Sequence, residues 1–275
     1  MAVKLSSKSC SKIIQKASRR SSVLQGVLRE DIDFVGTKTV IVHTLETQEM
    51  NDYARTGTNR YGTPQEVQDT YQELTLSQDK SFSSTIDKGN AKDSAYQRKA
   101  TEFLKLQLAE RAIPAYDTYC LGKLAAGAGA TNEDTSAISK SNVATRVMSG
   151  TEILDDAEFP EEGRTLLVTP KVYKFLKLSE EYTSIQVLGV KSIGKGHVGE
   201  FDGMPVRKVS KRRMPAGVNF LIVHQSAATA PKKLDETKIH QDPPGLSGNL
   251  IEGRMYYDCF VLEKRAEGVY ADKEA

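Results

Sequence analysis

The chain lacks tryptophan and has few aromatic residues, which make up 7% of its 275 positions. A core must therefore be built from aliphatic side chains or be completed by a partner. Cysteine is also scarce: Cys10, Cys120 and Cys259 are widely separated and form no C-x-x-C pair. These positions argue against a disulfide framework and against a zinc site. No apolar run approaches the ~20 residues of a membrane span. We therefore expect a protein without membrane contact, made in a reducing cytoplasm.

Acidic residues are absent from the first 29 positions, although the whole chain has a net charge of only +2. A basic, serine-rich start is typical of an organelle transit peptide, but no other targeting signal accompanies it here. We favour a basic assembly arm or a solvated, disordered end. The residues that carry this prediction are Lys4, Lys8, Lys12, Lys16, Arg19 and Arg20.

Residues 71–87, YQELTLSQDKSFSSTID, alternate like a β-strand but carry little apolar surface. The even-numbered face is apolar only intermittently, and the odd-numbered face is almost entirely polar. Such a strand cannot bury enough area to be held on a core of its own. We therefore predict that its apolar side chains form a subunit interface, and these are Leu74, Leu76, Phe82 and Ile86.

The segment Gly36–Leu45 is rich in β-branched residues and is the expected partner strand. Glycine and proline between Asn51 and Pro64 predict a long connecting loop. The pair would form an extended hairpin, which is marginally stable in water without further support. The loop residues predicted to reach a neighbouring subunit are Tyr53, Arg55, Arg60 and Tyr61.

A long amphipathic helix is predicted over residues 91–126, where Leu106, Ile113, Cys120 and other apolar residues recur every three or four positions. Pro114 cannot donate a hydrogen bond, so we expect a bend near Glu110–Ile113. After residue 140 the pattern becomes mixed α and β, which predicts a compact domain. From Asn249 onward a clean alternation predicts one long, half-buried strand.

Two glycine-rich motifs invite a catalytic interpretation. Gly189–Gly196 nearly matches a phosphate-binding loop but ends in glycine where a hydroxyl is needed, and Gly194–Gly199 matches G-x-G-x-x-G. The residues that follow indicate a turn and a strand rather than the required helix. The basic run Arg207–Arg213 indicates a surface charge cluster, and the four histidines show no metal spacing. We expect no catalytic, cofactor or metal site, while a nucleotide-dependent enzyme remains a less favoured alternative.

Six segments, taken in order, resemble the major capsid proteins of tailed bacteriophages, which share the Hong Kong 97 fold. The segments are NDYARTGTNRYG, ERAIPAYDTY, RTLLVTPKVYKFLK, GHVGEFDGMPV, NFLIVHQSAATAP and DPPGLSGNLIEGRMYYDCFVL. The resemblance implies an α+β, Hong Kong 97-like fold. It assigns residues 1–35 to an N-terminal arm, 36–90 to an extended hairpin loop, and 91–140 to a spine helix and linker of the peripheral domain. It assigns 141–235 to an axial domain and 236–275 to a strand returning to the peripheral domain.

The resemblance also implies a function. The chain would assemble with itself into pentamers and hexamers of an icosahedral shell around double-stranded DNA. A scaffolding protein and a portal would be further partners, and the basic residues of the arm would contact the scaffold or DNA. The product would be a virion capsid, assembled in the host cytoplasm. An encapsulin-like shell around a cargo enzyme is the nearest alternative.

Overall fold

The computed structural model describes residues 22–29, 38–64, 66–93, 100–132, 134–179 and 197–274. The strands are β1 (Thr39–Leu45), β2 (Asp69–Thr75), β3 (Gln78–Asp87), β4 (Ala130–Thr131), β5 (Arg164–Val168), β6 (His197–Phe201), β7 (Met204–Lys208), β8 (Val218–His224), β9 (Ala228–Thr229), β10 (Lys232–Gln241), β11 (Gly248–Tyr257), β12 (Phe260–Val261) and β13 (Val269–Lys273). The α-helices are α1 (Lys88–Asp93), α2 (Ala100–Gln107), α3 (Ile113–Ala126), α4 (Val143–Asp156) and α5 (Pro170–Leu178).

A six-stranded sheet with the order β4-β13-β8-β5-β7-β6 forms the centre of the fold. Successive side chains of a strand point to opposite faces, and each face here has its own core. Leu167 and Leu221 pack with Leu124 of α3 on one face. Leu166 and Ile222 pack with α4 and α5 on the other. The result is a three-layer α/β unit, and it includes α3, β4 and β13 as well as elements from the part after residue 140 for which a compact domain was predicted.

The predicted long helix is present over its described part. α2 and α3 are joined by a π-helical turn, Leu108–Ala112, in which the N–H of Ile113 donates to the carbonyl of Leu108. This irregular turn lies where the bend was expected, directly before Pro114, because a proline in a helix removes a donor and crowds the preceding turn. The α2 half has no buried residue, whereas α3 buries the predicted apolar stripe from Tyr116 onward.

The prediction of one strand over residues 71–87 is wrong, because the segment divides between two sheets. β2 pairs with β1, whereas β3 pairs with β11. The N–H of Ser77, between them, donates to the carboxylate of Asp258 at 2.8 Å. This hydrogen bond replaces a ladder contact and lets the chain change partners.

The prediction of one strand from Asn249 onward is also wrong. β11 follows the predicted alternation and lies at the centre of a second, three-stranded sheet, β10-β11-β3. After Tyr257 the chain forms the short β12 and a 3₁₀ turn, Glu263–Gly268. β13 then joins the six-stranded sheet, so that sheet includes strands from outside residues 141–235. The domain boundaries given above remain predictions.

Residues 22–29 are anchored on the subunit. Leu24 and Val27 are buried in the core beside α3. The carboxylate of Asp117 accepts hydrogen bonds from the Ser22 hydroxyl at 2.6 Å and the Val23 N–H at 3.1 Å. Arg213 also donates to this carboxylate, at 2.6 Å.

The expectation that Arg207–Arg213 is a surface charge cluster is therefore wrong in part. Arg207 donates to the carbonyls of Val23 and Gln25, and Arg213 is buried against Asp117. Arg207 thus binds the anchored segment 22–29 directly, whereas Arg213 binds the Asp117 carboxylate that also accepts from this segment.

Candidate subunit interface

The hairpin of β1 and β2 has two unlike faces. On the inner face, Val40 and Val42 of β1 pack with the fully buried Leu74 and Leu76. Tyr256, Phe260 and Leu262 complete this small cluster, which ties the base of the hairpin to its own subunit. The hairpin is therefore supported, as a two-stranded ribbon in water needs to be.

The outer face of the same hairpin exposes apolar side chains to solvent. Ile41, Leu45 and Tyr71 have 49%, 71% and 64% of their surface exposed. The antiparallel register places Tyr71 opposite His43 and Asp69 opposite Leu45, so all these side chains share one face. His43 Nδ1 lies 3.0 Å from the Asp69 carboxylate, which positions the imidazole between the apolar groups.

The loop between the two strands carries further exposed apolar groups. Tyr53 and Tyr61 meet edge to face with ring centroids 5.0 Å apart, and the N–H of Ala54 donates to the carbonyl of Arg60 at 3.0 Å. Met50 is 99% exposed and Tyr61 is 86% exposed. The two tyrosines thus form an aromatic pair in which Tyr53 is half exposed and Tyr61 is almost fully exposed.

Apolar exposure is concentrated in this region. Of the ten large apolar side chains that are exposed among the described residues, seven lie between Ile41 and Tyr71. Scattered exposed apolar residues are ordinary, but a concentration of this kind marks a contact surface. We name these seven residues the hairpin surface: Ile41, Leu45, Met50, Tyr53, Tyr61, Val67 and Tyr71.

The interface residues predicted from sequence fall into three groups. Tyr53, Arg55, Arg60 and Tyr61 are exposed on the hairpin loop, so their role in a subunit contact stays a prediction. The assignment of Leu74 and Leu76 is wrong, because both side chains are buried inside their own subunit.

Phe82 and Ile86, the remaining pair, are half-buried on β3. The Phe82 ring lies across Gly253 of β11, where an added Cβ would come within 2.3 Å of the ring. Most of the apolar surface of Phe82 is therefore used within the second sheet, and its part in a subunit contact stays a prediction.

Sequence reasoning missed five members of the hairpin surface: Ile41, Leu45, Met50, Val67 and Tyr71. Val40, Ile41 and Val42 are consecutive apolar residues, so β1 is apolar on both faces. A strand that is apolar on both faces must be covered on both, which was the available signal. The predicted scaffold or DNA contacts Lys4, Lys8, Lys12, Lys16, Arg19 and Arg20 lie outside the described residues.

The glycine motif Gly194–Gly199 lies only partly within the described residues. Its last three residues begin β6, and the turn at Asp202–Gly203 leads into β7, so a turn and a strand follow the motif, as predicted. Among the described residues, no group of three or more His, Cys, Asp or Glu side chains is placed to hold a metal ion. No described helix is both long enough and apolar enough to cross a bilayer.

No protein-family model matches the chain, and no curated protein matches its sequence. Solved structures match its fold over nearly its whole length. The capsid structure of cyanophage P-SCSP1u aligns with 98% of this chain and 92% of its own, at a TM-score of 0.76 and 14% identity. The chain has the fold of a phage capsid protein.

Two other structures agree with this capsid fold. The asymmetric unit of the mature capsid of bacteriophage PhiM1 aligns with 98% of this chain and 91% of its own, at a TM-score of 0.71 and 14% identity. A structure from Mycobacterium phage Che8 aligns with 96% of both chains, at a TM-score of 0.69 and 16% identity. Because the coverage is nearly complete, the hairpin and the two sheets all belong to the capsid fold.

Proposed function

We propose that the chain is the shell-forming capsid protein of a tailed phage, which assembles with itself around double-stranded DNA. The observation that carries this proposal is a capsid fold over nearly the whole chain, with a hairpin whose outer face is apolar and uncovered. In a heterologous contact the hairpin surface would cover a different part of the neighbouring subunit. A heterologous contact of this kind closes into rings when it is repeated by rotation.

We further propose that pentamers and hexamers would both use the hairpin contact. The shell would be the capsid of the virion, assembled in the host cytoplasm. The basic residues of the N-terminal arm would contact a scaffolding protein or DNA, and a portal would be a further partner. Residues 22–29 support this role because this part of the arm is anchored beside α3.

The proposed function is tested by one substitution in the hairpin surface and one beneath it. Tyr61→Asp places a charge on an 86% exposed ring and should leave the free subunit folded but prevent assembly. Leu74→Ala, in contrast, removes a buried side chain and should cost about 2–5 kcal/mol of subunit stability. Electron microscopy and sedimentation report shells, and thermal unfolding reports the stability of the subunit.

We expect closed shells from the unaltered protein. Tyr61→Asp should form no shells, while the unfolding temperature of its subunit should not fall. Shells that form equally well with Tyr61→Asp would contradict the role of the hairpin surface. A chain that stays monomeric alone and with its genomic neighbours co-expressed would contradict the proposed function itself. Shells that contain a cargo protein and no nucleic acid would favour the encapsulin-like alternative.

A further inference from the structure

One surface of the central unit is strongly acidic. The end of α4 and the turn after it carry six acidic residues between positions 152 and 162, and no basic residue lies among them. We name this the acidic face: Glu152, Asp155, Asp156, Glu158, Glu161 and Glu162, all of them exposed. Within the described chain only Asp155 of the six forms an ion pair, with Arg164 at 2.6 Å. Met148 and Ile153 add exposed apolar area on α4.

A second surface of the same unit is basic. Lys171, Lys174 and Leu178 recur at helical spacing along the exposed side of α5, and Leu178 is 52% exposed. Lys171 and Lys211 line a cleft of about 430 Å³ between the start of α5 and residues 211–217, with Glu274 at its rim. We name the basic face as Lys171, Lys174, Lys177, Lys211, Arg212 and Leu178. Among the residues that the structure describes, Lys171, Lys174 and Lys211 form no ion pair.

The two faces lie over different halves of the sheet. α4 packs on β13 and β8, where Gly150 abuts Tyr270 and Ile222. α5 lies beside β7, where the Lys208 ammonium is 4.6 Å from the centre of the Tyr173 ring. β13 and β7 are separated by β8 and β5 in the sheet order. Three strand spacings amount to roughly 14 Å, so the two faces are separate patches on the same side of the sheet.

Each face includes charged side chains that are unfavourable at their positions in their own helix. Asp155 and Asp156 lie in the last turn of α4, where the partial charge of the helix is negative, and no basic residue lies in that turn. Lys171 lies in the first turn of α5, where the partial charge is positive. Arg164 compensates Asp155 within the subunit, whereas an oppositely charged partner outside the subunit would compensate Asp156 and Lys171.

We propose that the acidic face of one copy binds the basic face of the next copy, as a head-to-tail contact around a ring. This inference rests on the proposed function and names a second contact, separate from the hairpin surface. A contact between two copies of the same face would bring like charges together, whereas a head-to-tail contact repeated by rotation brings opposite charges together at each step. The apolar residues Met148, Ile153 and Leu178 would lose their exposed area in the same contact.

A charge-swap experiment on the full chain tests the contact. The single variants Glu152→Lys and Lys174→Glu each place like charges against the facing surface. Like-charge contacts of this kind cost several kcal/mol and recur in every ring, so each variant should yield at least about tenfold fewer assembled particles. The double variant carries both changes, restores an opposite pair at each contact, and should recover assembly. Particles are counted by electron microscopy and sedimentation.

The control is Lys140→Glu, which makes the same charge change at an exposed lysine of the same unit outside the basic face. It should assemble like the unaltered protein. Normal assembly of both single variants, or failure of the double variant to recover, would overturn the head-to-tail contact while the unaltered protein still forms shells. Absence of any assembly by the unaltered protein would overturn the proposed function and this contact together.

Discussion

His224 shows how single buried polar groups are satisfied in this fold. Its side chain is buried at the end of β8, where its Nε2–H donates to the carbonyl of Glu162 at 2.8 Å. Its Nδ1 accepts from the N–H of Ser226 at 3.1 Å, so the imidazole is held neutral. Burial lowers the pKa of His224 from its usual 6.5, and the positive charges of Arg164, Arg29 and Arg265 lower it further.

The pKa shift of His224 predicts a pH dependence of stability. Because the folded pKa lies below that of the unfolded chain, the unfolded state binds the proton more readily. The contribution of His224 to stability is complete above pH 6.5 and is lost as the pH falls below that value. His224→Gln cannot titrate, so its unfolding temperature should fall less than that of the unaltered subunit between about pH 8 and about pH 5. Parallel curves for the two proteins would contradict this role.

At the scale of elements, a few buried charged groups join segments that are distant in the chain. Asp117 on α3 is fully buried and connects the anchored segment 22–29 to Arg213. Arg146 likewise connects α4 to β13, because its Nε donates to the Asp272 carboxylate at 2.8 Å. Burial raises the pKa of Asp272, although Asn219 and Arg146 oppose this by hydrogen bonding to the carboxylate. Such pairs are costly to break, because one buried charge is left without its partner.

Loss of the Asp117 carboxylate should release the anchored segment. In the folded subunit the carbonyl of Arg29 accepts hydrogen bonds from the Ala230 N–H at 3.1 Å and the Thr229 hydroxyl at 3.0 Å, which protects the backbone there. Asp117→Ala should therefore speed tryptic cleavage after Arg29 and destabilise the subunit by about 3–5 kcal/mol.

The matched control for Asp117→Ala is Asp79→Ala. Asp79 forms an exposed ion pair with Arg254, which lowers the pKa of the Asp79 carboxyl and raises the pKa of the Arg254 guanidinium. Surface pairs contribute little to stability, so cleavage after Arg29 should be unchanged in this variant. Equal cleavage rates in Asp117→Ala and the unaltered subunit would show that Leu24 and Val27 anchor the segment without the carboxylate.

At the scale of the whole molecule, burial is divided between the subunit and its proposed neighbours. The six-stranded sheet is complete in one copy, and all seven residues of β8 are buried. The hairpin surface is not covered in one copy, although its base is held by Leu74 and Leu76. The subunit can therefore fold before it assembles, and assembly can proceed from a preformed hairpin.

This division predicts which amides change on assembly. Hydrogen exchange should be slower in shells than in free subunits, for example those of Tyr61→Asp, across residues 39–75 and along α4 and α5. Exchange in β8 should stay equally slow in both states, because those amides are already protected in the free subunit. Slower exchange in β8 alone, with no change in the hairpin, would show that assembly completes the core instead.

The elements that could be predicted from sequence are those whose patterns are local. The apolar stripe of α3, the irregular turn before Pro114 and the buried strand β8 follow from spacing and from the chemistry of proline. The sequence also indicated the α+β class, and the six ordered segments indicated the capsid fold. The tertiary structure alone decided that residues 71–87 divide between two sheets and that Leu74 and Leu76 face inward.

The physical reason is that alternation defines two faces of a strand without showing which face meets a core. Ser77 turns the chain from one sheet to another through a hydrogen bond to Asp258, a residue 181 positions away. The sequence predicts Arg213 as a surface charge because its buried partner, Asp117, lies 96 positions earlier in the chain. Contacts at such distances leave no periodic signal, so they become visible only when the chain is folded.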